Sequence, residues 1–118
     1  MAEAFPPFVF PKGMSEADAA ELLKEAYGDI DDGKLLRTVH KELRRNDIDP
    51  PTDVQYVAEP HVEERSGHVE VCLHPDIMVY DEFPEMDDCL DTFEDVLNEM
   101  LSKRLEKSVK KWLKARRP

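Results

Sequence analysis

From Glu85 to Arg117 the chain contains neither glycine nor proline, and its apolar residues recur at spacings of three and four. Leu90, Phe93, Val96, Leu97, Met100, Leu101, Leu105, Val109, Trp112 and Leu113 fall on one stripe of a single helix. A helix spanning 85–116 is roughly 45 Å long, so the rest of the chain must arrange itself along it. Acids fill its first half and bases its second, the order that the helix dipole favours.

Two shorter helices are predicted ahead of it. Ser15 is placed to cap the first, with Glu16 and Asp18 in the opening turn, Ala19, Leu22, Leu23 and Ala26 as its stripe, and Gly28 as its end. The second follows Asp31 or Asp32, carries Leu35, Leu36, Val39 and Leu43 on one face, and closes on Arg44, Arg45 and Asn46. Asp49-Pro50-Pro51 stops it.

Between the helical regions the period changes. Val54, Tyr56 and Ala58 alternate with polar or outward positions, a polar turn is expected around Glu63–Gly67, and Val69, Val71 and Leu73 alternate with His68, Glu70, Cys72 and His74. Ile77 to Tyr80 reads as a third strand, giving an antiparallel meander over 53–81. Residues 1–13 hold Pro6, Pro7 and Pro11 beside Phe5, Phe8, Val9 and Phe10, so they form an extended arm lying across the body or a partner. The expectation is one α+β domain over residues 1–118: arm, N-terminal helical hairpin over 14–46, three-stranded antiparallel β-meander and long C-terminal helix.

The order α, β, β, β, α from about residue 33 to residue 101 is similar to that of a double-stranded-RNA-binding domain. That family carries a basic cluster at the start of its last helix; here Glu85, Asp87, Asp88 and Asp91 stand in that place. The resemblance therefore implies an order of elements and no RNA-binding role.

Charge divides the chain more sharply than its net −11 suggests, with 27 acids against 16 bases in all. Lys103 to Pro118 carries eight bases and one acid, Glu106, while residues 1–102 carry 26 acids and eight bases. Asp81 to Glu99 holds nine acids and no base. Such a surface repels bare phosphate and anionic lipid, and attracts basic protein. No run is apolar enough to cross a bilayer, and the N-terminal stretch has neither the basic start nor the apolar core of a secretory signal, so no membrane role and a cytoplasmic location are expected. Cys72 and Cys89 are expected to be reduced.

Chemistry-bearing patterns are few. His68, Glu70, Cys72 and His74 share one face of one strand and are all metal-ligating types, yet next-but-one residues there stand about 6.5–7 Å apart, so at most two neighbours could share an ion, with ligands from elsewhere. Asp29 to Gly33 misses the register of a calcium loop, with Gly33 one place early and His40 where a glutamate is required. No glycine-rich phosphate loop accompanies a nucleophile, so neither catalysis, nor a metal, nor a cofactor is expected.

The sequence leads to a non-catalytic protein-binding module, of the kind represented by inhibitors, immunity proteins, antitoxins and viral antagonists, which mimics nucleic-acid charge to dock on a basic partner. Asp81, Glu82, Glu85, Asp87, Asp88, Asp91, Glu94 and Asp95 would form its surface, with Trp112, Phe8 and Phe10 as anchors. The alternative is a nucleic-acid-binding or assembly protein acting through Lys103, Arg104, Lys107, Lys110, Lys111 and Lys114. A homodimer pairing acidic and basic helix halves is the third reading.

Overall fold

Ser15 caps the first helix as its position predicts, its Oγ accepting from the Asp18 amide at 3.1 Å. The computed structural model describes residues 7–52, 54–79 and 83–115. Helix α1 is Glu16–Gly28 and α2 is Asp32–Arg45, the latter capped by Asp31 Oδ1 on the Lys34 amide at 3.1 Å. Beyond α2, Asp47 turns into the left-handed region at φ 60°, while the Ile48 amide reaches back to the Leu43 carbonyl at 2.9 Å and the Asp47 amide to Arg44 at 3.1 Å. This double bond satisfies carbonyls that the helix end would leave unpaired.

Four short strands follow among the described residues: β1 Gln55–Val57, β2 His61–Arg65, β3 His68–Cys72 and β4 Asp76–Met78. They make two antiparallel ladders, β2 with β3 and β1 with β4. The meander expected from the sequence is thus corrected in its pairing. Ile77 sits opposite Tyr56 of β1 and leaves β3 to another partner. That partner is the N-terminal arm: the Val71 amide donates to the Phe8 carbonyl at 3.0 Å, the Phe10 amide donates to the Val69 carbonyl at 2.9 Å, and Val9 bridges to Glu70. The likeness to a double-stranded-RNA-binding domain accordingly ends at the order of elements.

The β2–β3 turn is also tighter than expected. It consists of Ser66 and Gly67 alone, at φ 49° and 84°, with Arg65 already paired to His68. Two successive positive φ values define the primed turn whose twist suits a hairpin, and Gly67 adopts its share without steric cost. Glu63, Glu64 and Arg65 are therefore strand residues.

Helix α3, Met86–Ala115, receives both α1 and α2 along its length. Its buried edge contains an unbroken four-residue series, Cys89, Phe93, Leu97, Leu101, Leu105 and Val109. Four residues overshoot one helical turn by about 40°, so the buried edge winds about 200° around the axis over that series. Ala19, Leu23 and Ala26 of α1, Leu35, Val39 and Leu43 of α2, and Val62, Val69, Val71 and Ile77 of the strands complete the core with Phe10 and Met14. Tyr56 stacks on Phe93 at 5.0 Å between ring centroids and joins the small β1–β4 ladder to α3. The α+β class, the N-terminal helical pair, the antiparallel strands and the long C-terminal helix all stand as expected.

Candidate functional site

The winding of the buried edge determines where the two charged halves of α3 face. In the first half the core residues lie on one side, and Asp87, Asp88, Asp91 and Glu94 project from the other, all exposed. In the second half Lys103, Arg104, Lys107, Lys110, Lys111 and Lys114 are exposed. At 100° per residue, the mean directions of the two sets differ by about 170°. The acidic and basic faces are consecutive along the axis but point to nearly opposite sides.

On the acidic side, Glu85, Asp87, Asp88, Asp91 and Glu94 stand without an ion pair among the described residues, and Asp95 is half-buried. Partial burial, followed by the neighbouring carboxylates Asp95 and Asp91, raises the Glu94 carboxyl above its ordinary range. Asp81 and Glu82, assigned to the same surface from sequence, lie outside the described residues.

The junction of the halves carries the Lys103 Nζ–Glu99 Oε1 pair at 3.4 Å, one turn apart. Beside it, Lys103, Arg104 and Lys107 meet Lys34 and Asp31 of the α2 start around an open groove of about 570 Å³, floored by Ile30, Val96 and Met100. Lys34 joins this basic groove through packing of α2 on α3, which no pattern within the last helix could reveal.

The aromatic anchors are redistributed. Phe10 is 2% exposed and belongs to the core, with Phe8 half-buried and edge-on to it at 5.2 Å. The arm's pairing with β3 drives Phe10 inward, so it is corrected from partner anchor to core residue. Trp112 is half-buried against the same core.

A third feature arises on the solvent face of the β2–β3 hairpin. His61, Glu63 and Arg65 of β2 oppose Cys72, Glu70 and His68 of β3 in register. Glu63 is the hub: its Oε1 lies 3.3 Å from His61 Nε2, and its Oε2 accepts from Cys72 Sγ at 3.0 Å and from Arg65 Nη2 at 2.7 Å. These bonds, the thiol's first, hold the Glu63 carboxyl down at about 2. Burial, then the Glu63 carboxylate, pushes the Cys72 thiol up to about 11. Arg65 also reaches Glu70 Oε1 at 3.1 Å, and His68 Nε2 lies 3.3 Å from Glu70 Oε2. The His74 ring stacks on His61 at 4.6 Å with 3° between planes.

The sequence placed His68, Glu70, Cys72 and His74 on one strand face but left out His61 and Glu63. The distinguishing signal is the Ser66-Gly67 pair, which sets the register that puts His61 opposite Cys72.

No family model matches the chain, and neither a curated protein nor a solved structure is significantly similar to it. Among the described residues no helix is long and apolar enough to cross a membrane.

Proposed function

We propose that the protein is a non-catalytic binding module that docks the acidic face of α3 onto a basic partner surface. One observation carries this reading. Asp87, Asp88, Asp91 and Glu94 are exposed on the side of α3 turned away from its described bases, and none of them has an ion pair among the described residues. Closely spaced carboxylates on a rigid helix resemble a phosphate backbone in sign and density. They would speed association with a cationic cleft, whose natural occupant is nucleic acid in the sharpest form of the proposal. Trp112, half-buried about 27 Å along the axis from Glu94, would serve as an anchor for a partner long enough to span the helix.

The test is capture from native host lysate by the full chain and by a variant carrying D87N, D88N, D91N and E94Q. A partner held at low salt by the parent, released at moderate salt and not held by the variant supports the reading. Equal capture by both chains overturns it.

A second reading rests on the basic groove, where Lys34 joins Lys103, Arg104 and Lys107. There the protein would hold a nucleic-acid backbone, with the acidic face directed outward. Fluorescence anisotropy with labelled single- and double-stranded oligonucleotides separates the readings. Binding lost on neutralising Lys34, Lys103, Arg104 and Lys107 favours the groove, and no binding at low salt eliminates it.

A further inference from the structure

The solvent face of the β2–β3 hairpin gathers an imidazole, a carboxylate and a thiol whose donor atoms all lie within 4.8 Å of one another: His61, Glu63 and Cys72. In a tetrahedral zinc site with bonds of about 2.0–2.3 Å, ligand atoms stand roughly 3.3–3.8 Å apart. Cys72 Sγ lies 3.0 Å from one Glu63 carboxylate oxygen and His61 Nε2 lies 3.3 Å from the other, so a small rotation of that carboxylate brings a single oxygen between them at near that spacing.

Cross-strand pairing accomplishes what a single strand face cannot. Directly opposed residues on a ladder have Cβ atoms about 4.5–5.5 Å apart, so His61 and Cys72 converge, and Glu63 reaches toward both from the next outward position. We infer that His61, Glu63 and Cys72 form a binding site for a zinc-class divalent ion on the hairpin, with the fourth position open to water.

Donor chemistry selects the class of ion. A thiolate beside an imidazole and a carboxylate suits borderline-soft zinc, and does not suit magnesium or calcium, which take all-oxygen shells. The charges also match: one thiolate and one carboxylate neutralise a divalent cation. On binding, the S–H bond of Cys72 breaks, its proton passes to solvent, and the sulfur pair forms the bond to the metal. Glu63, which accepts that S–H hydrogen bond beforehand, turns to the ion. Arg65 retains Glu70 as a partner. His74, stacked parallel on His61, fixes the plane in which Nε2 presents its lone pair.

The experiment is titration of cobalt(II), the spectroscopic stand-in for zinc, into the reduced, metal-free full chain. The expected result is sulfur-to-cobalt charge-transfer absorption saturating at one ion per chain and bleached by added zinc. Cys72→Ser should abolish the band, and His61→Gln or Glu63→Gln should weaken binding about tenfold or more. Cys89→Ala, which removes the buried thiol on α3, should leave the band intact. Zinc should raise the melting temperature of the parent and not that of Cys72→Ser. Should Cys72→Ser fail to fold, His61→Gln keeps both thiols and reports on the same site. Absence of thiolate absorption at stoichiometric cobalt, or a band undiminished in His61→Gln or in folded Cys72→Ser, overturns the inference.

Discussion

The thiol of Cys72 donates to the carboxylate of Glu63 at 3.0 Å although the two are diagonal on the ladder, Cys72 being paired with His61 and Glu63 with Glu70. The contact makes one exposed carboxylate sensitive to three neighbours at once. Its consequence for acid stability has a definite sign. The folded-state pKa of Glu63 is depressed from 4.5 to about 2, so its contribution is present above pH 4.5 and is lost as pH falls from there toward 2. Urea unfolding midpoints of the parent and Glu63→Gln, compared across that window, should converge as pH falls. Parallel pH profiles would refute the assignment.

Phe10 is predicted to be a stability determinant. At 2% exposure, Phe10→Ala should cost about 3 kcal/mol by loss of burial and creation of a cavity. Chemical denaturation monitored by circular dichroism measures this directly. A cost under about 1 kcal/mol would mean that the arm is dispensable to the core.

Tyr56 carries a buried hydroxyl with no well-formed hydrogen bond among the described residues, beside the Cys89 thiol. Burial drives its ionisation well above the ordinary phenol range. Tyr56→Phe keeps the stack on Phe93 and removes the polar atom, so stability should hold or rise by up to about 1 kcal/mol. A loss of that size would instead reveal that sulfur is a strong partner.

Asp31 caps α2 through the Lys34 amide, and Asp31→Ala should lower stability by about 1 kcal/mol. The exposed Lys103–Glu99 pair should matter much less. Lys103→Gln is expected to change the unfolding free energy by no more than about 0.5 kcal/mol. A double-mutant cycle on Glu99 and Lys103 checks the second figure.

What was legible in the sequence was mainly local. Ser15, Asp31 and the Arg44–Asn46 end could be placed because a cap is a relationship across three or four residues, and α3 because its period repeats over its whole length. Strand pairing was not legible in the same way. Nothing near Ile77 says that Tyr56 rather than Val71 will be its neighbour, since that choice depends on the arm occupying β3. Glu63, Glu64 and Arg65 looked like a turn because they are charged, whereas their charge marks a solvent-facing hairpin end. The His61–Glu63–Cys72 cluster was hidden for the same reason, whereas the opposed directions of the acid and base faces follow from 100° per residue along α3, and residue-by-residue burial adds that both faces are turned to solvent.

The arm's two hydrogen bonds to β3 have an implication for the molecule's behaviour in company. Phe8 and Phe10 occupy the backbone groups of Val71 and Val69 that another chain would need in order to add itself to the hairpin. Cleavage after Phe10, or a bulky fusion that pulls the arm away, would bare that edge as a template for intermolecular strand addition. The same few residues that complete the core thus also protect the protein from its own copies.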